Sequence, residues 1–297
     1  MFTGLSDSQL ADYNRDGFVM CPNVIDVETL AELNVEIDRL REDAIKAREI
    51  GSLEGFFQAF EFENDDPDVL RRIMNPHRIS EAFRKFIHHP SLVAALQSVL
   101  GPSVRLQNTK LNIKAPGVGA LVDWHQDFAH YPHANRNVSA LGFFLDDINE
   151  ENAPLMVFPN SHSGDVLDHH DNGIFVGSID LAKNKLDVAD AAKLTGPAGS
   201  ISLHHGHAVH GSEVNRSTKS RRMLFLECAA GDAWPLLPMS YKIDPKDIRS
   251  YAEECMLVGG LSYTPRMEAT DIRLPLPLPP VEKTSLYEMQ AHRTKSA

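Results

Sequence analysis

The chain has 297 residues and carries 41 acidic against 29 basic side chains, a formal charge of -12 at pH 7 that argues against nucleic acid or an anionic membrane surface as partner. Cys21, Cys228 and Cys255 are widely separated, so they build neither a disulfide framework nor a cysteine zinc cluster and point to a reducing compartment. No basic-then-apolar leader opens the sequence and its apolar runs fall far short of the ~20 residues of a membrane span, so the expected location is the cytoplasm.

Ser6 and Asp7 supply capping chemistry for a short helix that closes near Asp16-Gly17. Phe18 to Cys21 reads as a strand stopped by Pro22. From about Asp26, Leu30, Leu33, Val35, Ile37 and Leu40 recur among charges, the pattern of an amphipathic helix. The stretch from Gly51 to Pro67, with Phe56, Phe57, Phe60 and Phe62 beside acidic residues, follows no clear period. Helical spacing returns over 69–74, 79–86 and 91–100, so residues 1–100 are expected to act mostly as helical support.

After Pro102 the character changes to short extended runs separated by turn residues: Val104 to Lys114, Ser139 to Leu145, Pro154 to Phe158, Ser200 to Leu203, His207 to His210 and Met223 to Cys228. Such runs fit a jelly roll whose mouth can hold a ligand. Residues 161–198 form an acidic, partly helical insertion of the kind that serves as a lid, and the proline-rich stretch with Pro275, Pro277, Pro279 and Pro280 reads as an extended surface tail. The expected organisation is one domain over 1–297: helical support at 1–100, a mainly β core with flanking helices at 101–230, and a C-terminal extension at 231–297.

Ten of the 14 histidines lie between His125 and His210, which raises the odds of metal chemistry there without naming a ligand. In Asp123-Trp124-His125-Gln126-Asp127, an extended backbone puts His125 and Asp127 on one face and Gln126 on the other. A lone His-x-Asp is common, so a third ligand is needed. The stretch Leu203 to His210 offers several, and alternation leaves His210 and His207 as rivals on opposite faces, with His204 and His205 nearby. Two histidines and one carboxylate leave open positions on a metal, the arrangement of non-haem Fe(II) oxygenases. Arg221 and Arg222, on opposite faces of the next strand, each offer a fork for the carboxylate of a 2-oxo acid. Asn108, Lys110, Asn112 and Lys114 share a face of the first long strand, and a polar face turned inward implies a ligand, whereas turned outward it is a solvated edge. Phe128, Tyr131 and His133 follow the His-x-Asp and are expected to line the substrate entrance.

Trp124-His125-Gln126-Asp127, then Asn152-Ala153-Pro154-Leu155 leading to Pro159-Asn160-Ser161-His162, then His210-Gly211-Ser212 with Asn215 and Arg221, resemble the phytanoyl-CoA dioxygenase family over about Asn108 to Cys228. The resemblance implies a double-stranded β-helix (a cupin-like jelly roll) and a dioxygenase using Fe(II), 2-oxoglutarate and O2. It places the iron on His125, Asp127 and His210, and the far carboxylate of 2-oxoglutarate on Arg221, 11 residues after the distal histidine. Related enzymes use polar residues of the first long strand around 2-oxoglutarate, which points to Asn112 and then Asn108. Related halogenases have a small residue where Asp127 stands, so hydroxylation of a small or medium organic molecule, releasing succinate and CO2, is expected. The competing readings are a ligand-binding relative without turnover and a cupin-type metalloenzyme that does not use 2-oxoglutarate.

Overall fold

A computed structural model of the chain describes residues 2–49, 59–63, 66–117, 121–237, 252–269, 271–279 and 289–290. Helix α1 (Asp7–Asp16) starts with a reciprocal capping box between Ser6 and Gln9 and stops at Gly17, whose φ of 83° suits a residue without a Cβ. Strand β1 (Phe18–Cys21) follows, then α2 (Val27–Glu49). Leu33, Ile37 and Leu40 of α2 are buried as the spacing predicts, whereas Val35 faces solvent with 72% of its surface exposed.

Strands β2 (Phe60–Glu63) and β3 (Asp66–Met74) form an antiparallel pair, and β3 continues onto β4 (Val104–Lys114) through Arg72↔Asn112 and Met74↔Lys110. The helix expected over 69–74 is therefore a strand. Six residues are too few to separate the two periods, and pairing with β4 decides between them. Three short helices, α3 (Pro76–Ile79), α4 (Glu81–Phe86) and α5 (Pro90–Leu100), lead into β4.

The remaining elements are β5 (Val122–His125), α6 (Asp127–His130), β6 (Val138–Phe144), β7 (Leu155–Val157), the hairpin β8 (His170–Asp171) and β9 (Ile174–Phe175), β10 (Ala192–Leu194), β11 (Ile201–His205), β12 (His210–Ser212), β13 (Arg221–Ala230) and β14 (Met256–Val258). They form an eight-stranded sheet in the order β1-β11-β6-β13-β4-β3-β2, with β14 also on β4, and a four-stranded sheet in the order β10-β7-β12-β5. This is the expected jelly roll with flanking helices. Residues 1–100 are more than helical support, because they add β1 to one edge of the large sheet and β2 and β3 to the other.

Alternation along the large sheet separates two environments. Leu203, Leu141 and Leu226 stand side by side in register and are fully buried in the main core together with Leu92 and Leu96 of α5 and Phe86 of α4. One residue further along each strand, His204, Ala140 and Glu227 are in register on the opposite face, inside the roll. The helices thus cover the apolar face, and a polar face is left between the sheets.

The insertion 161–198 contains two 3₁₀ turns (Ser161–Ser163 and Val188–Asp190), the β8–β9 hairpin and β10, with no α-helix. Part of the C-terminal segment is not surface tail: Met289 and Gln290 are buried, and the Gln290 side chain accepts from the Asp123 amide at 3.0 Å and donates to the Gly177 carbonyl at 3.2 Å. Phe56, Phe57 and Pro280 lie outside the described residues. Among the described residues no helix is long and apolar enough to cross a membrane.

Phe143, fully buried, meets the Phe86 ring at a centroid distance of 4.7 Å, joining the large sheet to the helical layer. Phe143→Ala is expected to lower unfolding free energy by about 3–5 kcal/mol, read from the urea midpoint; an unchanged midpoint would mean that the helical layer is not part of the cooperative core.

Candidate active site

Strand β12 lies between β7 and β5, and His210 is the direct Cα partner of His125. Their ring centroids are 4.2 Å apart. Gly211 makes the approach possible, since a Cβ there would lie 3.0 Å from the Val122 carbonyl oxygen and 3.2 Å from the Trp124 ring. Asp127 is not on the strand as expected: β5 ends at His125, and Asp127 begins α6. Because Gln126 between them is extended (φ -119°, ψ 127°), the alternation survives and the carboxylate returns to the histidine side.

Asp127 Oδ1 is 3.8 Å from Nε2 of both His125 and His210, and one ligand atom from each of the three groups lies within 4.8 Å of the others. His125 Nδ1 faces the Asp123 carbonyl at 2.7 Å and His210 Nδ1 the Ala208 carbonyl at 2.9 Å. Since a carbonyl only accepts, Nδ1 carries the proton in each ring and the Nε2 lone pair points inward. Burial, reinforced by His210, pushes His125 well below its usual range, and burial holds His210 at about 4. Burial alone would raise Asp127, but His210, His204 and His125 hold it well below the usual carboxylate range. At neutral pH, two neutral imidazoles and one carboxylate present lone pairs to one another with no proton between them. A cation satisfies that set, and the N,N,O donors suit Fe(II).

A cavity of about 50 Å³ adjoins the three groups. Part of its wall is the β4–β13 ladder, where Arg221↔Lys114, Met223↔Asn112, Phe225↔Lys110 and Glu227↔Asn108 are in register. At one end the buried Arg221 lines the cavity and donates through Nε to the Ala153 carbonyl at 3.0 Å. Lys114 beside it donates to the carbonyls of Ser212 and Glu213, and burial together with Arg221 pushes its pKa well down. Asn112 lines the middle and accepts from Arg72 Nε at 3.0 Å. At the other end Lys110 is ion-paired with Glu227 and donates to the Tyr131 hydroxyl at 2.7 Å. Arg222 points to the opposite face, where it forms a fork-like pair with Asp146.

Several expected residues stand elsewhere. Asn108 does not line the cavity; its amide donates to Glu227 at 2.8 Å. Phe128 is fully buried against His207, at a ring distance of 4.3 Å, rather than at the entrance. His133 is likewise buried, beside Phe128, with Nδ1 on the Tyr131 carbonyl at 2.7 Å. The α6 turn after Asp127 explains both, because it rotates the following side chains away from strand alternation. Of the rival histidines, His207 sits outside the cavity, whereas His204 lines it, with Nε2 3.3 Å from Asp127 Oδ2. Gln126, directed away from the metal ligands, accepts from Leu167 at 2.7 Å and donates to the His207 carbonyl at 2.7 Å, tying the 161–198 insertion to the site strand.

Sequence reading missed Arg72 and Glu227, and named His204 only as a neighbour of His210, without a place in the cavity. Arg72 was hidden by the helical reading of 69–74. Glu227 carried a usable signal, as an acid at even spacing from Arg221 within an apolar strand. His204 was obscured because the strand extends to His205 and turns before His207, not at Leu203.

A jelly roll holding two histidines, one carboxylate and a buried arginine across a polar cavity defines a mononuclear non-haem iron oxygenase dependent on a 2-oxo acid. The phytanoyl-CoA dioxygenase (PhyH) family profile matches residues 13–223, and the chain belongs to that family. It is 34% identical over 274 residues to a probable alpha-ketoglutarate-dependent hypophosphite dioxygenase of Stutzerimonas stutzeri, covering 91% of this chain and 92% of that protein. It is also 27% identical to L-proline trans-4-hydroxylase of Streptomyces griseoviridis (72% of this chain, 82% of that protein) and 28% identical to ectoine dioxygenase of Bordetella parapertussis (82% and 80%). The crystal structure of EctD from S. alaskensis with 2-oxoglutarate and 5-hydroxyectoine shares the fold, with a TM-score of 0.68 at 20% identity over 92% of this chain and 89% of that one. The protein is an Fe(II)- and 2-oxoglutarate-dependent dioxygenase acting on a small molecule.

Three buried histidines outside the metal set, His133, His169 and His207, are each pushed down to about 4 chiefly by burial. The unfolded chain, with histidines near 6.5, takes up protons that the folded chain refuses, so their contribution is complete above about pH 6.5 and is lost as pH falls towards 4. Apo-protein stability should drop by up to about 1.4 kcal/mol per pH unit for each of them across that window. Urea midpoints at pH 7.5, 6 and 5 measure this, and a flat profile would contradict neutral burial.

Proposed function

We propose that His125, Asp127 and His210 hold Fe(II), that Arg221 receives the far carboxylate of 2-oxoglutarate with Lys114 and Asn112 beside it, and that a compact polar substrate is hydroxylated at the Lys110–Glu227 end of the cavity. The observation that carries this reading is that the three converging ligand atoms line one cavity together with a buried guanidinium and the Lys110–Glu227 ion pair. Fe(II) bound there couples decarboxylation of 2-oxoglutarate to succinate and CO2 with transfer of one atom of O2 to the substrate.

The chain's own contribution is placement. Arg221 is held through Nε and Nη2 by the Ala153 carbonyl, which fixes the plane of its guanidinium so that a carboxylate meets a fixed fork. Ala153 adopts φ 63°, a left-handed conformation costly for a residue with a Cβ, and that strain is consistent with a carbonyl positioned for Arg221. The shared neighbourhood with Lys114 keeps cationic character at this end even with the lysine neutral. Asn112 adds a donor between that end and the metal. Asn108 supports Glu227 instead of touching 2-oxoglutarate.

For the substrate, Lys110 has three N–H donors, of which Glu227 and Tyr131 take two, leaving one for an anionic or strongly polar group in the cavity. Glu227 can face a cationic or donor group on the same molecule. The named substrates of the relatives, hypophosphite, proline and ectoine, are all compact and polar, which favours a compact molecule over a CoA thioester. The whole chain is proposed to act as one catalytic domain over 1–297. A cytoplasmic location is supported by Cys21, Cys228 and Cys255, which are free.

Anaerobic addition of Fe(II) and then 2-oxoglutarate should produce the weak visible band of the chelated 2-oxo acid. Arg221→Ala should raise the 2-oxoglutarate concentration needed by roughly 10- to 100-fold, the worth of a charged hydrogen bond; an unchanged titration would instead favour a cupin-type enzyme that does not use 2-oxoglutarate. Succinate release with hypophosphite, proline and ectoine as trial substrates addresses the other end. Lys110→Gln should raise the KM of the productive substrate by a similar factor with that of 2-oxoglutarate unchanged, and equal effects on both would remove Lys110 from substrate binding.

A further inference from the structure

The two oxygens of Asp127 are divided between different partners. Oδ1 stands 3.8 Å from each ligand histidine, while Oδ2 lies 3.3 Å from Nε2 of His204. His204 comes from β11, in register with Ala140 on the inner face of the large sheet, and only 1% of its surface is exposed. Its ring lies 4.5 Å from that of His210, yet it does not belong to the group whose ligand atoms all lie within 4.8 Å of one another. It lines the same cavity as the three, beside Asp127 and His210.

The chemistry of the pair fixes the proton. Ionised Asp127 can only accept, so the tautomer that bonds it carries hydrogen on Nε2. Neither ring nitrogen of His204 makes a hydrogen bond of good geometry in the interior, and Asp127 Oδ2, 3.3 Å from Nε2, is the acceptor that a small turn of either side chain would bring into line. An unsatisfied buried acceptor costs about 1–3 kcal/mol, which an apolar ring at this position would avoid. The fold carries that cost where it sets a donor nitrogen 3.3 Å from one carboxylate oxygen.

We propose that His204 is a positioning residue that holds Asp127 Oδ2, so that the carboxylate meets iron through Oδ1 alone. Fe(II) held by two imidazoles and one carboxylate oxygen would keep open positions for the 2-oxo acid and dioxygen. A carboxylate free to turn and chelate through both oxygens would occupy one of these. His204 thus guards the open positions without touching the metal. This inference rests on the metal-site reading above.

The test uses the full-length protein with His204→Phe, which keeps a ring in the pocket and removes the donor, and His204→Gln, whose amide can donate to Oδ2. Fe(II) affinity is measured by competition with a chromogenic chelator, and 2-oxoglutarate by its anaerobic visible band. His204→Phe should keep Fe(II) but need roughly 10- to 100-fold more 2-oxoglutarate to develop the band, the usual scale for loss of a partner behind a metal ligand, and His204→Gln should restore most of it. Titrations of His204→Phe that overlay the wild type overturn the proposal. So does a loss of Fe(II) as complete as in Asp127→Ala, which would make His204 a ligand, or an equal defect in both variants, which would make its role packing. A wild-type protein that binds Fe(II) without showing the band overturns the 2-oxoglutarate reading itself, and this inference falls with it.

Discussion

The site depends on one strand register. His210 reaches His125 only because β12 pairs with β5 in the one alignment that makes them direct neighbours, and a slip of a single residue would turn His210 to the other face of the sheet. Gly211 allows the strands to close, and β7 on the other side of β12 keeps it from sliding. Each ligand imidazole is further oriented by the carbonyl two residues before it in its own chain. Ring orientation is thus settled locally and ring proximity by the sheet.

The same architecture explains how a strongly polar interior is tolerated. The large sheet's apolar face is covered by α4 and α5, which supplies the burial that drives folding. The inner face can then carry Arg221, Lys114, Lys110, Glu227 and Asn112 because each is held by a specific partner: a carbonyl for Arg221 and Lys114, a carboxylate for Lys110, a guanidinium for Asn112. Charged groups in such a setting are expensive to leave unpaired. Their arrangement along one ladder puts cations at one end and an ion pair at the other, which gives the cavity wall a polarity along its length.

Legibility from sequence followed the length and strength of local patterns. The eleven residues of β4 lie between Pro102 and Pro116-Gly117, which makes both ends of the strand readable, and the capping box and Gly17 mark α1 with equal clarity. The run from Val69 to Met74 was too short for either period to prevail, so the strand that delivers Arg72 to the cavity was taken for a helix. Phe128 and His133 were misplaced for a related reason, since a helical turn of four residues beginning at Asp127 is invisible to periodicity yet redirects every side chain after it.

What the sequence by itself determined is the inventory and its local geometry: a histidine and a carboxylate separated by one extended residue, a second histidine beside a glycine, and an arginine at a spacing that resembles the dioxygenase family. What only the tertiary structure decided is which of four neighbouring histidines joins the pair, which of two adjacent arginines enters the cavity, and which side chain meets the second oxygen of Asp127. These choices turn on strand register and on where β11 ends. Register is set by pairing between segments some 85 residues apart, and the forces that select it, burial of one face and close backbone approach at Gly211, act across the sheet rather than along the chain.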